Sequence, residues 1–172
     1  MPDPYSAGIT FIWEWDGFKN DSAPGESWQT SYGITEMTWA TAVQDGTVSG
    51  SFADMTADQA KIIYAARYYA PFCHLLPGVA FSCFVEATLT GVGHTARLLQ
   101  RIVHVTQDAV VGPHTEAAAL AYGQTKLINA IMAADEAYLA SLASAPRFLR
   151  GWTRREESMR QRALQIAGLA VT

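Results

Sequence analysis

Apolar residues recur along this chain with the three-to-four-residue spacing of helices, and strand signals are weak throughout. Residues 7–18 read as a short helix or helix end, apolar at Ile9, Ile12 and Trp13. Residues 19–33 are polar and turn-rich, with Asn20-Asp21-Ser22, Pro24-Gly25 and Gly33, which predicts a long loop or a small hairpin. Thr35 is placed to cap a helix through Met37, Trp39 and Val43, ended by Gly46. Thr56-Ala57-Asp58-Gln59 is a capping box, opening a helix with Ile63, Tyr64, Arg67 and Tyr68 that Pro71 stops. From Val79 to Leu89 the chain is apolar nearly all round, the signature of a buried central helix, and Gly91 and Gly93 end it. Helices over 94–104, around 114–121 and from about Gln124 to Leu142 follow. Asp135 falls on the apolar face of the last of these and needs a partner if buried. Pro146 breaks that helix, and a final one carries Trp152, Met159, Ala163 and Ile166. The expected fold is all-α, seven or so helices, with a small β-hairpin near residues 19–33.

Composition narrows the class. A chain of 172 residues with 49% hydrophobic content can bury a real core. Its net charge of −4 and the lack of a basic stripe argue against nucleic acid as a partner. Six of the twelve basic residues, Arg147, Arg150, Arg154, Arg155, Arg160 and Arg162, crowd the last 26 positions. With Glu156 and Glu157 among them they read as a solvated helix face rather than an anion site. Cys73 and Cys83 are expected as buried free thiols, and the four scattered histidines show no zinc spacing, so neither metal nor cofactor is implied. The start, Met1-Pro2-Asp3-Pro4-Tyr5, lacks a basic region followed by an apolar run, so no signal peptide is expected. No run reaches the ~18 apolar residues that span a bilayer, so no membrane insertion is expected.

The chemistry concentrates in Trp13-Glu14-Trp15-Asp16-Gly17-Phe18 and in Thr30-Ser31-Tyr32-Gly33-Ile34-Thr35. A carboxyl group held among indole rings in a partly dry place keeps its proton near neutrality. Indole faces are platforms for sugar rings. Together they suit a glycosidase, whose acid must protonate a leaving oxygen. Ordinary core packing of the same aromatic residues is the competing reading.

With these landmarks the chain resembles glycoside hydrolase family 108, phage-type N-acetylmuramidases, some known as secretion activator proteins. The family's opening runs roughly W-E-G-G-Y-V-N-D-P-x-D-P-G-G-x-T-N-Y-G-I-T, against Trp13 to Gly25 and Thr30 to Thr35 here. The series continues in order through Met55-Thr56-Ala57-Asp58-Gln59-Ala60, Tyr68-Tyr69, Leu76-Pro77, Ala96-Arg97-Leu98-Leu99-Gln100, Val111-Gly112-Pro113-His114-Thr115 and Phe148-Leu149-Arg150-Gly151-Trp152. The resemblance implies a lysozyme-like fold with a muramidase part at 1–92 and a helical peptidoglycan-binding-like part at 93–172, packed as one unit. It implies a peptidoglycan hydrolase that cuts the β-1,4 bond of the cell-wall glycan. A protein of this kind, made in the cytoplasm without a signal peptide, reaches the wall through a phage holin or another release route.

Alignment from Trp13 places the family's catalytic glutamate at Glu14, while gapless alignment back from Asn20 places Trp15 there. Glu14 is the expected general acid, the one-residue shift being absorbed at a helix end. The family's second acid is replaced by Ala23, so Asp21, Glu26 or Asp16 must assist the water if the chain is active. Thr30 is a candidate water-positioning hydroxyl, and Trp15, Trp28 and Tyr32 are candidates for the sugar cleft. Glu86 and Asp108 are expected to be structural. The alternative is a muramidase homologue that binds peptidoglycan without cutting it or serves a secretion or structural role.

Overall fold

A computed structural model of the chain describes residues 3–16 and 30–169. Among these residues are eight α-helices and a single two-stranded antiparallel sheet. The helices are α1 (Pro4–Asp16), α2 (Glu36–Gln44), α3 (Ala57–Ile63), α4 (Pro77–Thr90), α5 (Val92–Ile102), α6 (Pro113–Tyr122), α7 (Gln124–Ser141) and α8 (Ala145–Ile166). The hairpin lies slightly later than the sequence pattern placed it. Strand β1 (Thr30–Ser31) pairs with β2 (Ile34–Thr35), Thr30 opposite Thr35.

Local chemistry sets most boundaries. The Thr35 hydroxyl accepts from the Thr38 N–H at the start of α2. The capping box forms fully, with Thr56 accepting from the Gln59 N–H and Gln59 accepting from the Thr56 N–H. The helix it opens does not simply run to Pro71. It loosens into a π turn at Tyr64–Tyr69 and tightens into a 3-10 turn at Ala70–Phe72. Pro146 starts a helix rather than merely ending one. It lies in the first turn of α8, where its missing N–H leaves no bond unmade.

α4 is the axis of the molecule. Ten of its residues, Gly78 to Ala87, are buried, and α1, α5, α7 and α8 pack around it. α8 comes so close at Gly78 that a Cβ there would stand 2.6 Å from the Ala163 carbonyl oxygen and 2.8 Å from Ile128 Cδ1. α8 therefore folds back over both α4 and the end of α1. Both cysteines are free thiols; Cys83 is buried and Cys73 half-buried. Among the described residues no helix is long and apolar enough to cross a membrane.

Candidate functional site

Four consecutive residues end α1 and face four surroundings. Trp13 packs on the hairpin. Its indole N–H donates to the Tyr32 carbonyl (3.3 Å), and its ring meets the Tyr32 ring with centroids 5.8 Å apart. Trp15 is exposed and forms one wall of a groove of about 950 Å³. Glu14 and Asp16, about 100° to either side of Trp15 around the helix, each hold an arginine of α8. Asp16 takes Arg155 in a two-point contact at 2.8 and 3.4 Å, and Glu14 takes Arg162 at 3.4 Å. The two arginines are seven residues apart, two turns or about 10 Å along α8. The end of α1 is thus clamped to α8 on both sides of Trp15.

This corrects the expected setting of Glu14. Its side chain is 52% exposed, and its recorded partner is a cation, not a wall of indoles. It stands beside the groove rather than in its lining. Asp16, one of the acids considered for the water, is committed to Arg155 and points about 200° away from Glu14 around α1. Asp21, Glu26 and Trp28 lie outside the described residues.

The hairpin holds the other two candidates. Thr30 is half-buried on β1. Tyr32 and Gly33 form its two-residue turn, both with positive φ (52° and 77°), as a type I′ turn requires. The Tyr64 hydroxyl donates to the Tyr32 carbonyl at 2.8 Å, filling the space a Cβ on Gly33 would need. Only glycine suits that position, on both grounds. Tyr32 is packed against Trp13 and does not line the groove.

The far wall of the groove comes from α8: Leu149, Arg150, Thr153, Arg154, Glu157, Ser158 and Gln161. These positions recur at three and four residues, so they share one helix face. Glu157 is held ionised, pushed down to about 2 by hydrogen bonds from Arg160 and Gln161. α8 is thus part of the site, which its charge pattern alone did not reveal. A second correction concerns Glu156, which belongs to no solvated face; it is buried.

Glu156 meets Glu86 of α4 and Asp135 of α7, with one carboxylate oxygen from each lying within 4.8 Å of the other two. Glu86 Oε1 accepts from the Thr90 hydroxyl at 2.8 Å, and the remaining five oxygens of the trio have no other protein donor. Burial, first, and mutual repulsion push Glu86 well up and carry Glu156 to about 8; Asp135 is also raised, mainly by burial. Carboxyls that keep their protons can donate to their neighbours, which satisfies the orphan oxygens. The same oxygen spacing would suit a small oxygen-ligated cation. Asp108 acts as expected, accepting from the Gln100 amide and the Val110 N–H within its turn.

Residues 9–91 match the family model described as Glycosyl hydrolase 108, and residues 94–157 match the one described as Predicted Peptidoglycan domain. The solved structure of SagA from Brucella abortus superposes with a TM-score of 0.83 at 27% identity, over 95% of each chain. No curated protein matches.

Proposed function

We propose that this chain, whose residues 9–91 match the glycosyl hydrolase 108 model and whose residues 94–157 match a peptidoglycan-domain model, is a muramidase that cleaves the β-1,4 bond after N-acetylmuramic acid. It is a peptidoglycan hydrolase, and its muramidase part at 1–92 and wall-binding part at 93–172 work across one groove. Glu14 is the general acid that protonates the leaving glycosidic oxygen. Asp21 or Glu26 assists the attacking water, helped by the Thr30 hydroxyl. Trp15 and Trp28 supply apolar surface to the sugars, while Tyr32, packed against Trp13, supports the hairpin. No cofactor is required.

One observation carries this reading. Glu14 ends α1 directly beside Trp15, and Trp15 opens a groove of about 950 Å³ whose other wall belongs to the peptidoglycan-domain half. A volume of that size accepts several sugar units. The second carboxyl group must stand roughly 5–5.5 Å away for a retaining path or 6.5–9.5 Å for an inverting one. Asp16 is excluded by its contact with Arg155. The protein acts as an endolysin, made in the cytoplasm and released to the wall through a phage holin. A turbidity assay on chloroform-treated Gram-negative cells tests the reading: the purified protein clears them. Ala23, where the family has an acid, favours one other outcome. Co-sedimentation with sacculi without clearing would make the protein a binder that has lost its cutting chemistry.

A further inference from the structure

The arginines of α8 with described side chains divide into two groups. Arg155, Arg160 and Arg162 are each paired with a carboxylate: Asp16, Glu157 and Glu14. Arg150 and Arg154 have neither an ion pair nor a hydrogen bond to any described residue. Both are exposed, and both line the groove. They lie one turn apart on the same face, so their guanidinium groups can act on one ligand. Thr153, Ser158 and Gln161 add neutral donors beside them, Leu149 adds apolar surface on the same wall, and Trp15 faces them from α1. Glu157 also lines the groove, but its carboxylate is taken by Arg160, so in a chain of net charge −4 the two unpaired cations beside it amount to a recognition feature for an anion.

The glycan backbone of peptidoglycan offers no such anion where its lactyl groups are amide-linked to peptide. The negative charge resides on the free carboxylates of the peptide stem. Guanidinium groups match carboxylates in a planar two-point geometry. We infer that Arg150 and Arg154 grip the carboxylates of the peptide stem, so that the site selects peptide-bearing glycan over bare glycan. This rests on the muramidase reading and adds to it a determinant of specificity. The acidic peptide lies along α8 while the sugar chain passes Trp15 toward Glu14. Arg150 and Arg154 are binding residues and take no part in bond cleavage.

The test compares the full chain with the Arg150→Ala/Arg154→Ala variant on intact sacculi and on the same sacculi stripped of stem carboxylate, each carboxyl group coupled to methylamine so that the cross-linked wall still sediments. The substituted side chains are exposed and unpaired, so the variant keeps its Tm. Release of reducing ends gives KM and kcat, and co-sedimentation gives binding without any need for cleavage. The unsubstituted protein should prefer intact sacculi about tenfold in kcat/KM. The variant should lose about tenfold there through KM rather than kcat, and lose far less on the stripped sacculi. Arg150→Lys/Arg154→Lys should recover part of the loss, since charge returns without the planar fork. Equal rates for the protein and the variant on intact sacculi, or no preference for free stem carboxylates in the unsubstituted protein, would overturn the inference while leaving the muramidase reading intact. If neither substrate is cut, the muramidase reading fails, and co-sedimentation alone decides about the arginines. Retention that is weaker on stripped than on intact sacculi, and weaker in the variant, supports them; equal retention overturns them.

Discussion

Arg155 reaches from α8 to the Asp16 carboxylate at 2.8 Å, joining residues 139 positions apart and fixing the end of the helix that carries Glu14. The guanidinium is nearly buried and also lies 6.0 Å from the centre of the Phe11 ring, whereas Asp16 is partly open to water. Arg155→Ala should destabilise the protein by about 2–3 kcal/mol, because it leaves a half-buried carboxylate without its partner. At this size that lowers Tm by roughly 4–12 °C. Activity at a temperature where the variant is folded should fall further, since α1 loses its clamp beside the groove. Thermal melts with parallel digestion of sacculi check both.

The companion contact should behave differently. Glu14 and Arg162 meet at 3.4 Å with the carboxylate half exposed, so the pair adds about 0–1 kcal/mol. Arg162→Ala should therefore shift Tm by no more than about 4 °C. A larger drop would mean that Arg162 holds the fold rather than merely facing the acid.

The carboxyl trio makes stability depend on pH with a definite sign. Glu86, Asp135 and Glu156 are all raised in the folded protein, with Glu156 at about 8. The folded state therefore binds more protons than the unfolded chain above the ordinary carboxyl range, near pH 4.5. Stability is fully present below that range and is lost as pH rises toward about 8. Tm should fall by on the order of 5 °C between pH 5 and pH 8. Glu86→Gln, which keeps the volume and removes one titrating group, should flatten that fall. Melts at pH 6 with EDTA, or with millimolar calcium or magnesium, should coincide if protons hold the trio together. A rise in Tm with either metal would assign it to a cation instead.

Gly33 offers a test of the hairpin. Gly33→Ala places a methyl group in a backbone conformation that favours glycine, and against the Tyr64 hydroxyl. It should lose about 1–3 kcal/mol and loosen the Trp13–Tyr32 contact. Denaturant melts measure the first effect, and indole fluorescence reports the second.

What the sequence made legible was local. Caps at Thr35 and Thr56, the all-apolar stretch of α4 and Gly91 after it depend on neighbours a few residues away, and the structure places helix ends there; Gly93, expected to end α4 as well, lies inside α5 instead. Glu86 and Asp135 could each be recognised as a buried acid in need of a partner. That they are partners of one another, across 49 positions, depends on how α4 and α7 pack, which periodicity does not encode. Glu156 was misread for the same reason. It lies beside Arg155 and Glu157 in a charged run, and only the docking of α8 decides which of them turns inward. The clamp from Arg155 and Arg162 to α1 is likewise a tertiary event. The aromatic run around Glu14 suggested a dry carboxyl, but Trp13 faces the hairpin and Trp15 the groove, which leaves the carboxyl between them open to solvent and to Arg162.

The central claim is that Glu14 is the acid that breaks the glycan. The most direct measurement is the release of reducing ends from purified sacculi by the protein and by Glu14→Gln, with sacculus binding and Tm recorded on the same preparations. The account predicts a loss of at least about a hundredfold in rate with binding and Tm unchanged. A Glu14→Gln protein that still releases reducing ends at a comparable rate would contradict it.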